Sequence, residues 1–280
     1  MTSRLAQISQ QIITYMGMST VITGVIGNLF NITIFLSLKT FRQNSCAFYL
    51  IVMSVSNIGQ LLTGQLSRVV ISGFGKDWTQ TSLAYCKCRW YLINVCSFIS
   101  FTCLCLAIID QFLATSARVH WQQWSNIKIA KRASMISIIL WVIYGTPYLI
   151  YYGHSRSATT GATICSATSA SFRLYHAYMN NIVLYGGLPI CITVLFGSLA
   201  YRNITHIAYR TVPLVRRELD KQLTNMVLIE IIFSFFFVLP YIISGLMSLI
   251  PHSSGQSGSA QLSFALNVTA CFYYLHFSVS

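Results

Sequence analysis

Two carboxylates lie beside or inside long apolar segments, where a negative charge is costly. Asp110 ends the apolar segment CLCLAII, and Gln111 and Phe112 follow it. Glu230 lies within the segment MVLIEIIFSFFF. An acid at the end of an apolar helix is either a solvated terminus or a group that changes partners between two conformations. An ionisable group as deep as Glu230 indicates a functional site; its alternatives are protonation, a bond to Gln111 or Asn57, or extension of the side chain towards water.

The composition indicates that lipid surrounds most of the chain. Of the 280 residues, 55% are hydrophobic and 8% are charged, whereas a soluble domain has about 25% charged residues. One membrane crossing requires about 20 residues. The segments without Asp, Glu, Lys or Arg that reach this length are 5–38, 43–67, 90–109, 133–155, 174–201 and 231–280.

Division of the last segment near Pro251 gives seven predicted membrane spans. Because lipid offers the backbone no hydrogen-bond partners, each span is predicted to be an α-helix. The predicted fold class is therefore an all-α membrane protein, a seven-transmembrane helix bundle that forms a single domain over residues 1–280. The helices are predicted near 13–38, 46–71, 86–114, 129–152, 178–201, 221–250 and 261–280.

The basic residues predict the orientation of the chain in the membrane. One set of loops, near 39–42, 118–132 and 202–221, contains the larger share of Lys and Arg. Since this excess usually faces the cytoplasm, we expect a multi-pass protein of the plasma membrane with an extracellular amino terminus. The net charge of +13 then fits inner loops beside anionic membrane lipid, and no nucleic-acid partner is expected.

Three of the nine cysteines lie near loops that this orientation places outside the cell, where disulfides persist. A bond between Cys86 and Cys165 would hold the loop 153–177 over the third helix, and Cys88 is the competing partner. No metal site is predicted, because C-x-C without a nearby His or Cys pair is poor spacing for zinc. The chain also lacks H-E-x-x-H, a phosphate-binding glycine loop and a nucleophile motif in context, so no enzymatic activity is expected.

Polar, aromatic and proline residues occur in a fixed order along the predicted spans. They are Gly27 and Asn28 in the first, Asn57 in the second, Cys86 and Asp110 at the two ends of the third, Trp141 in the fourth, Cys165 in the following loop, Pro189 in the fifth and Pro240 in the sixth. This order resembles the rhodopsin-like (class A) family of G-protein-coupled receptors, and the resemblance covers essentially the whole chain.

The resemblance implies a receptor that binds an extracellular ligand and activates a heterotrimeric G protein through outward movement of helix six, with a kink at Pro240 as the hinge. The implied switch and coupling residues are Asp110, Gln111, Phe112, Asp220, Glu230 and Pro240. The implied polar core consists of Asn28 and Asn57, since amides inside lipid seek partners on neighbouring helices.

The expected ligand site lies between the outer halves of the helices. Its candidate residues are Arg68, Tyr91, Asn94, Ser97 and Arg173. The two arginines favour a peptide carboxylate or another anion as ligand, and contact with lipid phosphates is the alternative. No lysine follows Lys221, so a retinal Schiff base in helix seven is excluded and no cofactor is expected.

The sequence departs from the family pattern in two of the motifs that matter most here, besides carrying Asn57 where the family has Asp and Val238 where it usually has Trp. The D-R-Y motif reads Asp110-Gln111-Phe112, so the arginine is absent. We expect Gln111 to bind Asp220, or Asp110 to pair with a base in 118–132, and basal activity to be raised or coupling altered. The N-P-x-x-Y motif is also absent, which predicts a divergent chain truncated at its carboxyl end. The alternatives are a multi-span transporter and a receptor remnant that does not signal.

Overall fold

The computed structural model describes residues 2–156, 161–207, 214–248 and 256–279. Within these residues, seven helices are long and apolar enough to cross a membrane, which confirms the predicted seven-helix bundle. They are α1 (Thr2–Ser37), α2 (Ser45–Gly73), α3 (Leu83–Thr115), α4 (Ile127–Tyr151), α5 (Ala170–Tyr175, His176–Gly187 and Leu188–Ile207 in succession), α6 (Leu214–Met247) and α7 (Gln256–Val279). We call the end of α3 that carries Cys86 outer and the end that carries Asp110 inner.

Several helices begin earlier than the predicted spans. α1 begins at Thr2 instead of near 13, α5 at Ala170 instead of near 178, and α6 at Leu214 instead of near 221. Hydropathy marks only the part of a helix that meets lipid. The backbone hydrogen bonds of a helix continue into polar sequence, so the helices extend beyond their apolar cores.

Local side-chain bonds explain where several helices begin. The Asn44 side chain accepts hydrogen bonds from the backbone N–H groups of Cys46 and Ala47 at the start of α2. Ser82, Asn126 and Ser169 accept equivalent bonds at the starts of α3, α4 and α5. Such caps satisfy N–H groups that have no partner within the helix.

Two π-helical segments, Leu61–Leu66 and Val69–Gly73, occur in the outer half of α2, and a third, His176–Gly187, occurs in α5. The sequence analysis did not predict them. A π-helical turn widens the helix and changes the direction of the side chains that follow it, and such turns are frequent at functional sites. Arg68 lies between the two π-helical segments of α2.

Helix α3 forms the centre of the bundle. Its inner half packs with α2 and α6 around Cys103, Leu104 and Ile108, and its outer half packs with α5 and α7 around Phe98 and Phe101. By contrast, α1, α4, α5 and α6 expose many large apolar side chains, among them Phe30, Leu140, Leu195 and Phe236. Lipid is the solvent that covers such surfaces without cost.

The loop after α4 contains a β-hairpin that the sequence analysis did not predict. Strand β1 (Tyr152–Arg156) pairs antiparallel with β2 (Thr163–Ala167), and His154 lies opposite Cys165. The disulfide joins Cys86 to Cys165, which confirms the predicted bond, and Cys88 is an exposed free thiol. The hairpin is therefore fixed to the outer end of α3.

Candidate functional site

A cavity of about 330 Å³ opens between the outer halves of the helices. Its walls come from α2, α3, α5, α6 and α7, and Ile164 and Cys165 of the hairpin form part of its boundary. The Cys86–Cys165 disulfide thus fixes one wall of the cavity to α3. Tyr152 of β1 stacks on Trp90 with ring centroids 4.9 Å apart, and burial raises the pKa of the Tyr152 phenol.

Two arginines line this cavity. Arg68 Nη2 donates a hydrogen bond to Asn267 Oδ1 at 2.6 Å, and Asn267 in turn donates to Ser9 Oγ at 2.8 Å. Arg89 Nε donates to Ser67 Oγ at 2.6 Å. Among the described residues, the buried Arg68 Nε has no hydrogen-bond partner. The site therefore has a guanidinium whose donors are not all used.

Two other polar residues of the cavity, Asp77 and Asn94, have partners within the protein. The Asp77 carboxylate accepts bonds from the backbone N–H of Thr79 and from Gln80 Nε2, so it closes its own turn. Asn94 Oδ1 accepts a bond from the Tyr185 hydroxyl at 2.9 Å. With Arg68, Arg89 and Asp77 on its walls, the cavity has a positive balance of charge.

The structure brings only part of the predicted ligand set into this cavity. Arg68 and Asn94 line it. Ser97 is fully buried, shares a hydrogen bond of 3.0 Å with the Tyr273 hydroxyl and is not among the lining residues. The Tyr91 hydroxyl faces Val142 of α4, and Arg173 is exposed on the short helix that begins α5; neither lines the cavity.

Arg89 is a charged lining residue that the sequence analysis did not select as a ligand candidate. The available signal was helical spacing, because Arg89 lies one turn before Ile93 and both face the cavity.

A chain of hydrogen bonds joins four helices in the middle of the bundle. Asn28 Nδ2 donates to the Phe277 carbonyl at 2.9 Å, and Asn57 Nδ2 donates to Asn28 Oδ1 at 3.3 Å. Ser100 Oγ donates to Asn57 Oδ1 at 2.5 Å. The two asparagines of the predicted polar core thus connect α1, α2, α3 and α7.

The inner end of α3 makes three different contacts. Asp110 is buried, and its carboxylate accepts a hydrogen bond of 2.7 Å from Ser45 Oγ of α2. Ser45 Oγ also lies 3.0 Å from Ser125 Oγ in the loop between α3 and α4. The Phe112 ring packs against Trp121 of the same loop and Phe196 of α5. Asp110 is therefore not a solvated terminus.

Gln111 links α3 to α6. Its Oε1 accepts a hydrogen bond of 2.8 Å from Thr224 Oγ1, and both side chains are fully buried. The sequence analysis expected Asp220 as the partner; the Asp220 side chain lies outside the described residues. Thr224 was missed, although it follows Asp220 by one helical turn and shares its face of α6.

Glu230 has a partner that the sequence analysis did not consider. Glu230 Oε1 on α6 lies 3.4 Å from His276 Nδ1 on α7. Ser234 Oγ, one turn further along α6, lies 3.1 Å from the same nitrogen. The signal in the sequence was a histidine inside the last apolar span.

The predicted hinge Pro240 lies within the continuous helix α6, where it supplies no N–H for the carbonyl one turn earlier.

Comparison with known protein families identifies one match. A family model described as 7 transmembrane receptor (rhodopsin family) matches residues 27–279, which is most of the chain. No curated protein matches the sequence.

Proposed function

The chain belongs to the rhodopsin family of seven-transmembrane receptors, and we propose that it binds an extracellular ligand in the outer cavity and activates a heterotrimeric G protein. Receptors of this family are not enzymes. The chain is a multi-pass membrane protein, and we assign it to the plasma membrane with its amino terminus outside. The family assignment replaces the transporter alternative.

One observation supports this proposal most directly. Helix α3 contributes residues to the outer cavity, to the polar core and to the contact with α6. Arg89 and Asn94 of α3 line the outer cavity. Ser100 belongs to the central hydrogen-bond chain, and Gln111 binds Thr224 at the inner end. A ligand that changes the position of α3 or its neighbours can therefore alter the contact that holds α6. Such coupling requires that the ligand bind the two conformations with different affinity.

The expected movement is an outward swing of the inner part of α6 about Pro240. A proline inside a helix removes one backbone hydrogen bond and favours a kink. The swing separates Thr224 from Gln111 and opens the inner face of the bundle. In this proposal Asp110 and Phe112 border the surface that the G protein contacts, and Asp220 and the basic segment 202–221 are further candidates by their sequence alone.

An aromatic pocket beside this surface supports a protein partner there. A pocket of about 390 Å³ is lined by Phe112, Trp121 and Trp124, among other residues. Trp124 is 56% exposed, and the Arg118 guanidinium lies 5.7 Å from the Trp121 ring centroid. Aromatic and arginine side chains are enriched at protein–protein interfaces.

The ligand class that the cavity favours is a molecule with an anionic group, with a peptide carboxylate as the leading candidate. Arginine binds carboxylates through two parallel hydrogen bonds. Arg68 has an unused buried Nε in the described structure, and Arg89 lines the same cavity. Arg173 contributes to this proposal only as an exposed positive charge in the first segment of α5.

The decisive experiment is nucleotide exchange on purified G proteins. The full-length receptor in lipid nanodiscs is mixed with heterotrimers that represent each Gα class, and the rate of GTP uptake is measured. We expect at least one class to exchange faster than with empty nanodiscs, because the missing D-R-Y arginine weakens the resting state. A folded receptor that accelerates exchange on none of them, with or without a library of carboxylate-bearing peptides, would overturn the proposal.

A further inference from the structure

The interior of the bundle contains a pair of ionisable residues that joins α6 to α7. Glu230 Oε1 lies 3.4 Å from His276 Nδ1. The two residues are only 8% and 1% exposed, respectively. Ionisable groups inside a membrane protein are costly unless they have partners, and they mark functional positions. The two groups can interact either as a carboxylate with an imidazolium or as a carboxylic acid with a neutral imidazole.

Aromatic contacts from α3 and α7 surround the histidine of the pair. The His276 ring stacks on Phe101 of α3 with centroids 5.0 Å apart and planes 6° apart. It also meets the ring of its neighbour Phe277, with centroids 4.9 Å apart. His276 is therefore held by α3 and α7, whereas Glu230 and Ser234 reach it from α6.

The residues around the pair are sequence neighbours of residues in the central hydrogen-bond chain. His276 precedes Phe277, whose carbonyl accepts a bond from Asn28. Phe101, which stacks on His276, follows Ser100, which donates to Asn57. Adjacent residues of α3 and α7 thus connect α6 to the polar core of α1 and α2.

We propose that Glu230 and His276 form a latch within the membrane that holds α6 against α7 in the resting receptor. This inference rests on the proposed function, in which α6 swings outward. Glu230 precedes the hinge Pro240 by ten residues, which is about 15 Å of helix. A swing of about 20°, the size of a sharp helix kink, displaces Glu230 by about 5 Å and breaks its contact with His276.

In this proposal the latch stabilises the resting position of α6, which is the role of the arginine that is absent from the inner end of α3. One polar contact that the described residues make there is the hydrogen bond between Thr224 and Gln111, which is neutral and therefore weaker than a charge-assisted bond. The Glu230–His276 contact lies deeper, where lipid offers no alternative partners. Opening of α6 leaves both groups without their contact until water or another polar group replaces it.

The test measures the position of α6 without a G protein. A ¹⁹F probe is attached to Lys221→Cys, at an exposed position on the inner part of α6. The full-length receptor carries C88S and C191S, because Cys88 and Cys191 are exposed thiols. The nuclear magnetic resonance spectrum in nanodiscs then reports the populations of closed and open α6.

We expect E230L and H276F to increase the ratio of open to closed receptor by about tenfold, the effect of removing one partner of a buried polar contact. The phenylalanine retains the stacking on Phe101. The exchange variant E230H/H276E restores the pair, so its ratio is expected within about twofold of the parent, a fraction of one hydrogen bond. If E230L does not fold, E230Q is measured instead. Its amide keeps the shape of the glutamate side chain, so the ratio of open to closed receptor should increase by an intermediate amount.

The matched control is S244A. Ser244 Oγ lies 2.7 Å from Thr269 Oγ1, so it also joins α6 to α7, but on the outer side of Pro240. Its loss should leave the inner part of α6 unchanged. Unchanged populations in the folded single variants, or an exchange variant that stays as open as they are, would overturn the latch. Failure of the G-protein proposal would be distinct: α6 opens, yet no heterotrimer exchanges nucleotide.

Discussion

The Gln111 side chain of α3 accepts a hydrogen bond from the Thr224 hydroxyl of α6 at 2.8 Å, with both residues fully buried. Gln111 occupies the position where the family motif has arginine. The contact between the inner ends of α3 and α6 is therefore retained, but as a neutral hydrogen bond. Gln111 Nε2 has no hydrogen-bond partner among the described residues, so the side-chain amide is bonded through its oxygen and not through its nitrogen.

Removal of the Thr224 hydroxyl should favour the open receptor. T224V keeps the shape of the side chain and loses about 1 kcal/mol of hydrogen bonding, so ligand-free nucleotide exchange should rise by about fivefold. T224S keeps the hydroxyl and is the control. Equal exchange rates for T224V, T224S and the parent would contradict a role for this contact in the resting state.

Arginine at position 111 should lower ligand-free signalling. The Q111R guanidinium would lie beside the buried Asp110 and could form charge-assisted bonds, which are about twice as strong as neutral ones. We expect basal nucleotide exchange to fall by about threefold to tenfold, the effect of about 1 kcal/mol. The control Q111M adds no charge and removes the bond to Thr224, so it should raise the rate. A Q111R rate equal to that of the parent would argue against the proposed effect of the missing cation.

Loss of the disulfide should destabilise the outer cavity. C165S frees the hairpin from α3, and a disulfide of this kind contributes about 2–4 kcal/mol. We expect a lower thermal unfolding temperature of the purified receptor and weaker ligand responses. C88S is the matched control, since Cys88 is a free thiol in the same part of α3. A similar loss of stability in C88S and C165S would mean that the bond itself is unimportant.

Ligand recognition should depend on Arg68 and not on Arg173. R68Q removes a cavity-lining guanidinium, and its loss should weaken the response to a carboxylate-bearing agonist by about tenfold to a hundredfold, as for one hydrogen-bonded charge. Arg173 is exposed and does not line the cavity, so R173Q should respond like the parent. Concentration–response curves for nucleotide exchange measure the difference. Equal potency for R68Q and the parent would remove Arg68 from the ligand site.

The orientation of the chain can be tested with a membrane-impermeant thiol reagent on intact cells. The exposed Cys88 should react from outside the cell. A cysteine at the exposed Lys128, introduced as K128C in a C88S/C191S background, should react only after permeabilisation, because the basic loops face the cytoplasm. Reaction of both positions in intact cells would refute the seven-span topology.

The sequence by itself determined the class of the fold. Long segments without charge indicate membrane spans, which must be helical because lipid cannot satisfy an open backbone, and their number and order predicted the seven-helix bundle. The order of Asn28, Asn57, Cys86, Asp110 and Pro240 then indicated the family. These signals are local, since hydropathy and spacing need no knowledge of how the helices pack.

Tertiary structure alone decided which side chains meet. The rotation of each helix about its axis brings Thr224 to Gln111 and His276 to Glu230, and no periodicity in a nearly uniform apolar span reveals that rotation. The same reason explains why Tyr91 faces α4 whereas Arg89 lines the cavity. A polar group inside lipid acquires its partner only when two helices that are distant in sequence pack together. The pairing is therefore visible in the packed bundle and not in the sequence of either helix.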